Sequence, residues 1–138
     1  MRIRWVLPIQ RPHPMPTLLV IDDNESVRIS LRFVFANFGF TVVAAENGAA
    51  ALACVEQHSI DAALFDVHMP GMNGFDVCRE LRTRMQSLGR EIPVWLMTGA
   101  LSSDFPQRAA EAGAVAILSK PFDLAALNRE IRQRIAPA

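Results

Sequence analysis

Five short apolar runs punctuate the chain: TLLVI at 17–21, TVVAA at 41–45, AALF at 62–65, PVWLM at 93–97 and AVAIL at 114–118. A strand with one wet face alternates apolar and polar residues. These runs are continuous instead, which suits strands covered on both faces of a parallel sheet. Between them lie stretches of helical spacing, about 24–37, 48–58, 74–87, 104–112 and 123–135. Asn24 and Asp123 stand at N-cap positions, and Gly39 and Gly113 follow helix ends.

Strict alternation of strand and helix with short connections predicts a doubly wound α/β domain of three layers, five parallel strands between helices on both faces. Of the strand orders common for five strands, the flavodoxin-like 2-1-3-4-5 is expected. No GxGxxG follows the first strand and no Walker lysine loop is present, which argues against a dinucleotide or P-loop nucleotide site.

At 138 residues, 51% apolar and 20% charged, the chain suits one globular domain with a full core. Formal net charge is zero, and Arg2, Arg4 and Arg11 fall in the leader MRIRWVLPIQRPHPMP, so the remainder carries −3. That balance argues against a dedicated nucleic-acid surface. No apolar run approaches the roughly 20 residues of a spanning helix. The leader holds four prolines and an apolar stretch too short for a secretion signal, so residues 1–16 are expected to be disordered and 17–138 to form the domain. Met15 directly precedes the patterned sequence and is a candidate start. Cys54 and Cys78 show no CxxC pattern and read as free thiols in a reducing cytoplasm.

In an open α/β sheet, functional groups gather at the carboxyl ends of the strands, near the point where strand order reverses. The first run ends in Asp22 and Asp23, the third in Asp66, the fourth in Thr98 and the fifth in Lys120, whereas the second ends in plain Ala44–Ala45. Taken singly, each has a plainer reading as a turn acid, a helix cap or a surface cation. Together they converge on one basin. Three clustered carboxylates raise one another's pKa unless a cation sits among them, and Mg2+ takes such an oxygen-rich site. One carboxylate could then attack a phosphoryl group, with Lys120 and Thr98 holding its oxygens. His13 lies in the leader and His58 on a helix; only His68 is near the basin, so a zinc site is not expected.

The stretches LLVIDDNES, LFDVHMPGMNGFDVCREL, PVWLMTG and AVAILSKPFD resemble the receiver domain of two-component response regulators over about residues 17–135. The resemblance implies that Asp66 accepts a phosphoryl group from a phosphohistidine of a bacterial sensor kinase or phosphotransfer protein. It implies direct Mg2+ ligation by Asp23, Asp66 and the main-chain carbonyl of His68, with Asp22 acting mostly through water. Thr98 and Lys120 would hold phosphoryl oxygens, the Lys120–Pro121 bond would be cis, and Gly99 would leave room for the donor. Two residues past the acceptor, His68 occupies a position that tunes phosphoryl lifetime. Pro70, Gly71 and Gly74 would fix the loop behind Asp66.

The pattern departs from the family at Ile117. Receivers commonly carry Tyr or Phe three residues before the lysine, and its ring turns inward when the threonine moves. A branched aliphatic cannot make that rotation, although phosphorylation does not need it. On the first helix, Val27, Leu31, Val34 and Phe38 form one stripe expected to face the sheet. Ile29 and Phe33 project to the opposite side, and in this family that helix is gripped by kinases and phosphotransfer proteins, so the pair is a candidate docking patch.

The expected function is therefore a cytoplasmic signalling module that switches a protein-interaction surface, with no reaction beyond its own phosphorylation and dephosphorylation. A single-domain regulator with an unidentified output partner is expected, and a homodimer is possible within the family. Two rivals are a phosphohydrolase working through aspartyl phosphate and a receiver-like interaction domain that takes no phosphate. The first usually has a second acid where this chain has His68, and a cap for which there is no length. Retention of all five site residues argues against the second.

Overall fold

The computed structural model describes residues 15–135, so the expectation for the leader falls mostly outside the described residues. Strands β1 (Thr17–Ile21), β2 (Thr41–Ala45), β3 (Ala62–Asp66), β4 (Val94–Thr98) and β5 (Ala116–Ser119) alternate with helices α1 (Glu25–Asn37), α2 (Gly48–Gln57), α3 (Gly74–Ser87), α4 (Phe105–Ala112) and α5 (Leu124–Ile135). All strand pairs are parallel, in the order β2-β1-β3-β4-β5. The three-layer arrangement expected from the sequence is the one found.

The continuous apolar runs now have a physical reason. Because successive side chains leave a strand on opposite faces, each central strand feeds two cores. Leu19, Ile21, Ala63, Phe65, Val94 and Leu96 pack with α2, α3 and α4, through Leu52, Val55, Phe75, Leu81, Met85 and Phe105. Leu18, Val20, Ala62, Leu64, Trp95 and Met97 pack with α1 and α5, through Leu31, Phe35, Leu127 and Ile131. From Leu18 through β1, and along β3 and β4, both faces are covered, so a polar group there is costly unless a partner reaches it, as Glu130 reaches the Trp95 indole N–H at 2.8 Å.

Caps set the helix starts. Asn24 accepts from the Val27 N–H at 3.0 Å and Asp123 from the Ala126 N–H at 3.1 Å, closing the first turns of α1 and α5. Gly39 and Gly113 follow helix ends at φ of 97° and 88°, a left-handed backbone that glycine adopts freely.

Two details differ from the sequence expectation. Strand β5 begins two residues later than 114, because the Ala114 N–H turns back to the Ala109 carbonyl at 2.9 Å and still serves the end of α4. On α1 the buried pair is Leu31 and Phe35, while Val34 is only half-buried. The stripe therefore runs Val27, Leu31, Phe35, Phe38, and the Phe35 ring meets Phe38 and Phe40 edge-on at 5.6 and 5.7 Å. Cys54 and Cys78 are unpaired, and burial pushes the Cys78 thiol up to about 11. Among the described residues, no helix is long and apolar enough to cross a membrane.

Candidate functional site at the carboxyl edge of the sheet

Parallel strands in register deliver their last residues to a common edge. Ile21 pairs with Phe65, so Asp22 stands level with Asp66; Asp66 in turn pairs with Met97, and Thr98 with Ser119, directly before Lys120. Side chains up to 98 positions apart thus meet in one basin, as the sequence predicts.

Asp22 is buried, and both of its carboxylate oxygens are engaged. The Asn24 N–H donates to Oδ1 at 2.9 Å and Lys120 Nζ to Oδ2 at 3.2 Å, while the Arg28 guanidinium donates to its main-chain carbonyl at 2.8 Å. Asp66 is 6% exposed, with Lys120 Nζ 3.7 Å from its Oδ1 and the His68 N–H donating to the same oxygen at 3.4 Å. Asp23 is exposed on the rim. Burial, and after it the charge of Asp22, holds the Asp66 carboxyl above its ordinary pKa; Lys120 and the His68 N–H pull the other way, and Asp23 adds to the rise.

Asp22, Asp23 and Asp66 each offer a carboxylate oxygen, and these atoms lie within 4.8 Å of one another. That donor set, all hard oxygen and short of positive charge, fits a hard divalent cation. Lys120 now stands closer to Asp22 than to Asp66, so it serves the whole cluster and not the central carboxylate alone.

The loop behind Asp66 is tightly folded. A Cβ at Gly74 would lie 2.5 Å from the Asp66 carbonyl oxygen and 2.9 Å from Val67 Cα, so the start of α3 approaches the site only through glycine. Gly71 takes a positive φ of 84°, which a glycine adopts without strain. A Cβ at Gly99 would meet nothing within 4 Å, so space rather than backbone conformation is what its small size leaves beside Thr98.

Thr98 is fully buried. Its hydroxyl oxygen accepts from the Ala100 N–H at 3.1 Å and shares a hydrogen bond with His68 Nε2, also at 3.1 Å. Sequence reasoning missed that imidazole contact, as well as Arg28; a basic residue one turn into the helix that follows an acidic pair was the available signal for the second. Ile117 sits mid-strand in β5 opposite Leu96, half-buried against the α2–α3–α4 core. Ile29 and Phe33 are 61% and 70% exposed on α1, on the solvent side of the helix. His58 closes the end of α2 and takes no part in the basin; His13 lies outside the described residues.

The chain and its fold have many relatives. The family model for the response regulator receiver domain matches residues 18–132. Response regulator MprA of Mycobacterium sp. (strain KMS) is 36% identical over 123 residues, covering 87% of this chain and 52% of that protein. The Mycobacterium leprae protein of the same name is 37% identical over 115 residues, covering 83% and 49%. The chain thus spans about half the length of the curated relatives it matches. Among solved structures, Vibrio cholerae chemotaxis protein CheY4 superposes with a TM-score of 0.78 at 30% identity, over 87% of this chain and 98% of that one. A CheY-like receiver domain protein from Methanospirillum hungatei JF-1 gives 0.79 at 23% identity, over 88% and 94%, a likeness of fold. With the family model spanning most of the chain and its strand-edge acids grouped as above, this chain belongs to the response regulator receiver domains, the phosphorylation-dependent signalling modules.

Proposed function

We propose that Asp66 is the phospho-acceptor of this receiver and that Mg2+ is its metal. The observation that carries the reading is the buried Asp66 carboxylate at the end of β3, flanked by two further carboxylates and by the ammonium of Lys120. In the transfer, an Asp66 carboxylate oxygen attacks the phosphorus of a donor phosphohistidine. The new O–P bond forms as the P–N bond breaks, its electron pair stays on the donor imidazole, and that ring then takes a proton from water. Burial raises the Asp66 pKa in the metal-free protein, and a divalent cation beside it would lower the pKa again and keep the carboxylate ionised for attack.

Asp23, Asp66 and the His68 carbonyl would hold Mg2+, with Asp22 bonding to its water; the ion supplies charge neutralisation for the incoming phosphoryl oxygens. Lys120 Nζ, already within 3.7 Å of Asp66, takes one phosphoryl oxygen, and the Thr98 hydroxyl donates to another. The donor is a sensor histidine kinase or a histidine phosphotransfer protein, and Ile29 and Phe33 form the apolar patch it grips on α1. The module is cytoplasmic, its only chemistry is gain and loss of its own phosphoryl group, and its output is a changed interaction surface.

Incubation with Mg2+ and acetyl phosphate tests the reading. An acid-stable, base-labile adduct should form, disappear in Asp66→Asn and require the metal; beryllofluoride with Mg2+ should give the matching spectral change. No Mg2+-dependent response would sink the reading, and rapid turnover of free phosphate esters would favour a phosphohydrolase.

A further inference from the structure

Thr98 bonds to His68 and Ala100 and not to Asp66. A threonine hydroxyl has one proton and two lone pairs, so two neighbours at 3.1 Å fix where its oxygen rests. One of them, the Ala100 N–H, lies only two residues further along the same stretch of chain. The other, His68, comes from a different loop 30 positions away.

The His68 ring also faces α4. Its centroid lies 5.8 Å from that of Phe105, the first residue of α4, at a tilt of 43°. Phe105 meets Phe75 of α3 edge-on at 5.2 Å, and the Arg108 guanidinium lies 4.3 Å above the Phe75 ring. Hydroxyl, imidazole and two phenyl rings therefore form one unbroken line from β4 to the α3–α4 contact. Beside that line is a cavity of about 360 Å3, walled by His68, Met69, Pro70, Asn73, Phe105 and Arg108. The imidazole is exposed, so it has room to turn without disturbing the core. Ile117, by contrast, is held in the sheet opposite Leu96 and packed against the α2–α3–α4 core.

We infer that the His68 imidazole is a positioning residue for the Thr98 hydroxyl and the link that carries that hydroxyl's displacement to α4 through Phe105. The inference rests on the phospho-acceptor reading above. When Thr98 turns to a phosphoryl oxygen on Asp66, its oxygen leaves the imidazole; the ring shifts toward the cavity and the Phe105 contact is remade. Residue 117 has no part in this route, which lets the chain work with an aliphatic side chain there.

Nuclear magnetic resonance of the Thr98 methyl and the Phe105 ring, with and without Mg2+ and beryllofluoride, tests the link. In the unaltered protein both signals should move on saturation. In His68→Leu, which keeps bulk and removes the hydrogen bond, the Phe105 shift relative to the Thr98 shift should fall at least threefold. His68→Gln, which restores a hydrogen-bonding group at similar reach, should recover more than half of it, and Ile117→Val should leave the ratio as it was. An unchanged ratio in His68→Leu, loss of the Thr98 response in that variant, or loss of the Phe105 response in Ile117→Val overturns the inference while the phospho-acceptor reading stands. Absence of any response in the unaltered protein overturns both.

Discussion

Ionised Asp66 works against the fold that holds it. Burial and the neighbouring Asp22 raise its pKa above that of the unfolded chain, so the folded state binds the proton more tightly. By linkage, its contribution to stability is greatest at low pH and is lost as pH rises from the unfolded pKa through the raised folded one. Above the raised pKa the penalty is fully in place. Asp66→Asn should therefore raise the melting temperature at pH 7 by a few degrees in metal-free buffer, and the gain should vanish near pH 3, where both forms are neutral. Thermal melts at the two pH values check this. Phosphorylation by acetyl phosphate has the opposite dependence, since it needs the ionised nucleophile: with Mg2+ present its rate should fall by up to about tenfold per pH unit on the acid side of the metal-bound carboxylate's pKa. Strand-end acids such as Asp66 were legible in the sequence because an apolar run that stops at a carboxylate is visible without coordinates. The imidazole contact of His68 was not, because it depends on the path of two separate loops.

Each element shows the same division between what is local and what is not. The β3–α3 connection demands glycine at one place for a reason that side-chain chemistry alone does not reveal: the backbone of Asp66 occupies the space of a Cβ on Gly74. Gly74→Ala should cost about 1–3 kcal/mol, as other forced overpacking does, and should slow phosphorylation by moving the acceptor. Gly99→Ala, in open space, should do neither to a comparable degree; urea unfolding of the pair gives the comparison. On α1 the buried face turned by one residue from the expected stripe. Val34 and Phe35 are neighbours and both apolar, so helical period alone could not rank them, whereas the rings of Phe38 and Phe40 settle it by closing around Phe35. Phe35→Ala should cost about 3–5 kcal/mol, and Val34→Ala clearly less. The start of β5 was misplaced for a related reason. Ala114 and Val115 look like strand, but the backbone of Ala114 is still committed to the end of α4.

Across the whole molecule, the two cores divide the helices into a pair, α1 and α5, and a trio, α2, α3 and α4. The route inferred from Thr98 through His68 and Phe105 lies on the trio's side, while Ile29 and Phe33 sit on the outer face of the pair. Input and output would then use opposite sides of one sheet. Ile29→Ser and Phe33→Ser should slow transfer from a cognate phosphohistidine protein by at least several-fold and leave the rate with acetyl phosphate unchanged. Equal slowing with both donors, or with neither, would remove α1 as the docking surface.

The pairing of Lys120 with Asp22 joins the two ends of the described fold across 98 positions of chain. Every strand but β2 contributes to the basin, and the last to arrive during synthesis carries the ammonium. A half-made chain therefore has the acidic edge without the ammonium that stands between Asp22 and Asp66. The charge balance of the proposed acceptor site is thus completed only when the fifth strand has docked, which ties its chemistry to closure of the sheet.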